Sequence, residues 1–80
     1  MGKEEIRQKL IRILAEECDV EADSIRPETD TADLKLGSLQ FILLINRIED
    51  VFDITIPDEK FGEIQSVADM EELVDSMLNG

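Results

Sequence analysis

The run from Phe41 to Phe52 constrains the fold more than any other stretch, because its apolar residues recur at helical spacing and not at strand spacing. Stepping about 100° per residue places Phe41, Leu44, Ile45, Ile48, Val51 and Phe52 on one arc of a helix that starts at Ser38 or Leu39. Burying each such side chain stabilises by roughly 1.5–3 kcal/mol, so this arc needs other elements to pack against. Gln40, Asn46, Arg47, Glu49 and Asp50 lie off the arc, as a wet face requires. Leu39, Ile42 and Leu43 lie off it too. They are apolar, clustered beside Ser38, and have no place in the core. That misfit is the strongest pointer to function that the residues themselves give.

Two further stripes supply the packing partners. Ile6, Leu10, Ile13 and Leu14 predict a helix from Lys3 to about Glu17. Val67, Met70, Leu73, Val74, Met77 and Leu78 predict a last helix, entered through Ser66 and Asp69 at capping-box spacing. No period holds between Asp19 and Gly37, where Val20, Ile25, Leu34 and Leu36 are isolated anchors and Pro27 breaks regular structure. Asp30 can cap a single turn over Thr31 to Leu34. Ile54-Thr55-Ile56 alternates like a strand but has no second run to pair with, so an extended connector to Pro57 is expected. Asp58 can cap a short helix through Phe61, with Gly62 ending it.

The predicted fold is an all-α four-helix bundle: three longer helices, one short one, and a long loop between the first and second. Residues 1–80 are expected to form a single domain with an aliphatic core built from Leu10, Ile13, Leu14, Leu44, Ile48, Phe52, Phe61, Val67, Leu73 and Val74.

Twenty acidic against eight basic residues give a formal net charge of −12. Such a surface repels nucleic acid and anionic membranes, and favours basic partners or cations. Histidine is absent, which removes the commonest general base and a zinc ligand together. The single Cys18 points to a reducing compartment, and no segment has membrane-spanning length, so a soluble cytoplasmic monomer is expected. Self-repulsion at this charge should be relieved by ions. The melting temperature is expected to rise with added salt or divalent cations, and a thermal melt unmoved by either would contradict it.

Ser38 has an ordinary reading, an N-cap whose oxygen accepts an early backbone N–H. Its functional reading is a hydroxyl that carries a phosphodiester. Unpaired N–H groups and the macrodipole make a helix start favourable for an anion. Gly37 leaves the hydroxyl uncovered, and Leu39, Ile42 and Leu43 form a docking patch beside it.

Leu34-Lys35-Leu36-Gly37-Ser38-Leu39, the apolar helix after it, and Asp53-Ile54-Thr55-Ile56-Pro57-Asp58-Glu59 together resemble the acyl carrier protein family, essentially end to end. The resemblance implies that Ser38 bears 4′-phosphopantetheine, transferred from coenzyme A by a phosphopantetheinyl transferase, and that Leu39 is the leucine of the family's Asp-Ser-Leu motif. Gly37 stands where that motif has aspartate, and Lys35 where the family usually has glycine. The resemblance implies a carrier and not an enzyme. Acyl intermediates would ride as thioesters on the arm, in fatty-acid, polyketide or related specialised biosynthesis. Its partners would be the transferase, an acyl- or aminoacyl-loading ligase and downstream synthase enzymes. Leu39, Ile42, Leu43, Arg47, Glu49 and Asp50 would face them. In this family the acyl chain can tuck between the helices, and Phe41 would restrict that.

The second helix of fatty-acid carriers is acidic. Here Leu43 replaces an acidic residue and Arg47 adds a positive charge, which resembles specialised polyketide or aminoacyl carriers. An aminoacyl or peptidyl carrier of a nonribosomal-type pathway is therefore the second reading. Two readings come from other classes. Asp19, Glu21, Asp23 and Asp30 fall at positions of an EF-hand loop, but Ser24 and Pro27 sit at its sixth and ninth positions and Asp30 is short for its twelfth. No specific metal site is expected. The other is an unmodified helical module binding partners through Leu39, Ile42 and Leu43. Cys18 is flanked by Glu16, Glu17 and Asp19, which disfavour its thiolate, so it reads as a spectator.

Overall fold

The computed structural model describes residues 1–80. Helix α1 spans Lys3–Cys18 and buries its predicted stripe of Ile6, Leu10, Ile13 and Leu14 completely. Asp19 stops it by turning left-handed (φ 55°), which leaves its N–H to donate to the Ala15 carbonyl. Helix α2 spans Ser38–Phe52 and ends the same way at Asp53. Helix α3 spans Val67–Asn79. The chain contains no strand, and the short fourth helix is a 3₁₀ segment over Asp58–Glu63.

Helix α1 packs against both α2 and α3. Fourteen apolar residues, none more than 6% exposed, form one core. The helices give it Ile6, Leu10, Ile13, Leu14, Leu44, Ile45, Ile48, Phe52, Val67, Met70 and Val74, and the connecting segments add Ile25, Ile56 and Ile64. The predicted core residues Phe61 and Leu73 are only partly buried, packed against its edge, as is Phe41. Val51 and Met77 share the angle of buried residues but stand 42% and 38% exposed. Periodicity fixes the direction a side chain points but not what covers it, and both residues lie in the last turn of their helices.

The loop between α1 and α2 is held down along its length. Two 3₁₀ turns, Ala22–Ser24 and Thr31–Leu34, punctuate it, and Asp30 caps the second by accepting from the Ala32 N–H. Pro27 sits second in a turn closed by the Thr29 N–H on the Arg26 carbonyl at 3.0 Å. The Val67 and Ala68 N–H groups, orphans at the start of α3, donate to the carbonyls of Thr29 and Pro27. The Thr31 N–H donates to the Gln65 carbonyl at 2.9 Å. Pinned in this way to the mouth of α3, the loop delivers Leu36 and Gly37 to the start of α2.

The expected cap at Asp58 is not formed: Pro57 is the capping residue, and Gly62 lies within the 3₁₀ segment instead of ending it. The capping box at Ser66 is complete, since its hydroxyl accepts from the Asp69 N–H while the Asp69 carboxylate accepts from the Ser66 N–H. Ser66→Ala is expected to cost about 1 kcal/mol, the usual value of such a cap. In a domain of this size that is a fall of roughly 4–8 °C in melting temperature, readable by circular dichroism.

Candidate functional site

Ser38 is the first residue of α2, and the capping position belongs to Gly37, in extended backbone at φ −75° and ψ 169°. The ordinary reading of the serine therefore fails. Its hydroxyl caps nothing, and no other group in the protein bonds it. The first intrahelical bond is Phe41 N–H to the Gly37 carbonyl at 2.9 Å, so the N–H groups of Ser38, Leu39 and Gln40 have no partner within the helix. The result is an exposed hydroxyl standing over three unpaired amides at the positive end of a helix.

Gly37 needs no glycine-only geometry. A Cβ added there would meet nothing within 4 Å, so the space around it beside Ser38 is open. Lys35 is the strained position: it turns left-handed (φ 55°, ψ 41°) to end the 3₁₀ turn before α2. Left-handed backbone costs a residue with a Cβ roughly 1–2 kcal/mol, which is the physical reason a glycine suits this place. Lys35→Gly is accordingly expected to raise stability by up to about 1 kcal/mol, the gain being trimmed by the freer unfolded chain. A chemical-denaturation midpoint that falls would contradict this.

Beside Ser38 lies a groove of about 460 Å³ lined by Thr31, Ala32, Leu36, Gly37, Phe41, Ile42 and Phe61. Phe41 and Phe61 meet edge to face, with ring centroids 5.9 Å apart and planes at 80°, and form an aromatic wall of the groove. On the other side of the serine Leu39 is 71% exposed, with Ile42 at 47% and Leu43 at 51%. The three residues that did not fit the core arc are thus on the surface, and Ile42 joins their patch to the groove.

The charged residues of α2 are disposed differently. Arg47 is clasped by Glu16 and by Glu17, at 3.0 Å from the latter, at the end of α1. Those hydrogen bonds, first from Glu17 and then from Glu16, hold its guanidinium above the ordinary arginine range. Gln40 Nε2 donates to the Glu17 carbonyl at 2.7 Å, occupying a carbonyl that the end of α1 would leave open. Glu49 is spent internally as well, its carboxylate accepting the Ile56 N–H at 2.7 Å. Asp50 is exposed, and among the α2 charges it alone is without such a bond. The structure therefore gathers Ser38, Gly37, Leu39, Ile42 and Leu43 into one surface and leaves Arg47, Glu49 and Asp50 farther along the helix. The groove residues Ala32, Leu36 and Phe61 went unremarked as site residues in the sequence. Leu36 reads there as an isolated apolar anchor and Phe61 as a core residue.

Cys18 is half-buried at the end of α1, and burial first, then the Glu17 charge, pushes its thiol above the usual range. Asp19, Glu21, Asp23 and Asp30 do not converge. Asp19 ends α1, Asp30 caps a turn, and no three acidic or cysteine side chains come together to hold an ion. No helix is long and apolar enough to cross a membrane.

A helical bundle that displays an exposed, unbonded serine over free amides has the geometry to accept a covalent group there. The comparisons with known proteins agree. Residues 8–74 match the family model described as the phosphopantetheine attachment site. The chain is 34% identical over 77 residues to an acyl carrier protein of Prochlorococcus marinus, covering 95% of this chain and 96% of that one. It is 35% identical over 72 residues to one from Picosynechococcus sp., 89% of each chain, and 32% identical over 76 residues to one from Kocuria rhizophila, 94% of each. The chain belongs to the acyl carrier protein family, whose prosthetic group is 4′-phosphopantetheine. The residues present suit that group: a free hydroxyl, unpaired amides for a phosphate, and an apolar groove alongside.

Proposed function

We propose that this chain is a carrier and not a catalyst, holding acyl intermediates on a phosphopantetheine arm attached to Ser38 and presenting them to successive enzymes. The observation that carries this reading is the Ser38 hydroxyl, exposed and unbonded at the start of α2. The arm supplies the thiol on which cargo is held as a thioester.

The chain's own residues do the rest. The free amides of Ser38, Leu39 and Gln40 favour the negative charge of a phosphodiester. Gly37 keeps the hydroxyl accessible to the transferase. The Gln40 and Arg47 contacts to Glu16 and Glu17 fix α2 on α1, so the arm pivots from a rigid base. Tethering turns a dilute encounter between cargo and enzyme into one at high effective concentration. Leu39, Ile42, Leu43 and Asp50 face the transferase, the loading ligase and the synthase enzymes, while Arg47 and Glu49 keep α2 in place. A half-buried single thiol suits the reducing cytoplasm. The apolar front of α2, with Leu43 exposed, favours a specialised polyketide or aminoacyl pathway over housekeeping fatty-acid synthesis.

The test is mass spectrometry of the protein co-expressed with a broad-specificity phosphopantetheinyl transferase. One pantetheinyl mass, mapped to the peptide containing Ser38, is expected. Protein from its own cell that never bears the arm, together with no gain from several transferases, would overturn the reading.

A further inference from the structure

A cargo tethered beside Ser38 lies next to the bundle, and an alkyl chain in water is drawn into any apolar interior that admits it. The groove next to the serine offers no such interior. Three of its lining side chains, Leu36, Phe41 and Phe61, also pack against the core and so form its floor. None of the fourteen fully buried residues lines it. The groove therefore ends at these side chains and does not run on into the bundle. Nor does a void lie behind them. Ile64 alone among the core residues borders another cavity, and its companions there include Lys60, Glu63, Asp69 and Glu72, which suit no alkyl chain.

The floor is held from two elements at once. Phe41 stands about one turn after Ser38 on α2. Phe61 comes from the 3₁₀ segment, and the edge-to-face contact at 5.9 Å joins the two. The loop side of the groove is tied to the same region, since the Thr31 N–H and hydroxyl both donate to the Gln65 carbonyl, at 2.9 and 3.3 Å, just past that segment. A chain could enter the core only by parting the rings. With no void behind them it would then have to displace packed side chains as well.

We infer that the Phe41–Phe61 pair is a closed door that keeps tethered cargo outside the bundle, and that the acyl groups this chain carries are short, or interrupted by polar atoms, and not long unbroken alkyl chains. This rests on the carrier reading above. A long alkyl chain left outside exposes every methylene to water, whereas a short or polar cargo loses little there. At about 460 Å³ the groove can still shelter a small group against the two rings.

The experiment supplies a broad-specificity phosphopantetheinyl transferase with butyryl, octanoyl or dodecanoyl coenzyme A, so that arm and cargo are installed together, and reads the melting temperature of each loaded protein. Cargo buried only in the native state stabilises it as a bound ligand does, and more so with each methylene. Cargo outside the bundle does not. No wild-type form is therefore expected to melt more than about 3 °C above the butyryl one. A rise beyond that with chain length would overturn the inference and leave the carrier reading standing. Phe61→Ala opens the door from a partly buried position outside the long helices. Its dodecanoyl form is expected to melt more than about 3 °C above its own butyryl form. A flat series in this variant would overturn the role given to the rings. Should the alanine protein not fold, Phe61→Leu removes the ring contact while keeping most of the apolar bulk, and is read in the same way. No arm on wild-type protein from any donor would instead remove the carrier reading itself.

Discussion

Ser38→Ala is expected to abolish attachment of the arm completely while the protein stays folded. The loss is total because the reaction makes a bond to the hydroxyl oxygen, and the substitution deletes that atom. No other serine can replace it in kind. Ser24 donates its hydroxyl to the Glu21 carbonyl at 2.7 Å, Ser66 is engaged in the capping box, and Ser76 lies within α3, away from any helix start. The fold should survive because Ser38 bonds nothing within the protein and alanine is the better helix former. An exposed substitution of this kind moves stability by at most about 0.5 kcal/mol, so the melting temperature should stay within about 4 °C of wild type. Mass spectrometry after co-expression with the transferase, beside a thermal melt, reads both halves. An arm retained on the alanine variant would place the attachment elsewhere, and a collapsed melt would mean that the serine has a structural role the geometry does not show.

Much of this was legible in the chain. The stripe Ile6, Leu10, Ile13 and Leu14, the capping box at Ser66 and the single turn capped by Asp30 are local features, and local features are written in sequence spacing. Other parts were not. Nothing in Asn46-Arg47-Ile48 announces that the guanidinium will be taken by Glu16 and Glu17, because that pairing depends on how α2 lies against α1. Glu49 was equally opaque, since its partner is a backbone N–H seven residues later, in a connector without period. Ile25, Ile56 and Ile64 are buried in irregular segments where no stripe marks them. The Ser38 site was half-legible. The exposure of Leu39, Ile42 and Leu43 was evident from their misfit, but the adjoining groove needs Ala32 and Leu36, from the loop between α1 and α2, brought against Phe61.

The sharpest test of how α2 is set in the bundle compares two neighbouring leucines. Leu44 is fully buried, whereas Leu43 is 51% exposed. Leu44→Ala should remove the burial energy of the deleted atoms and leave a cavity, a combined cost of roughly 2–5 kcal/mol. An 80-residue domain at about 0.05–0.15 kcal/mol per residue holds only some 4–12 kcal/mol in all, so this one change removes a large share of it. At about 4–8 °C for each kcal/mol, the melting temperature should fall by at least roughly 8 °C. Leu43→Ala, one position and about 100° away, should cost no more than about 0.5 kcal/mol. Its defect belongs to partner contact and should show as slower modification of a fully folded protein. Equal thermal losses at the two positions would mean that α2 presents a different face to the core, and the apolar surface beside Ser38 would then be packing and not a docking site.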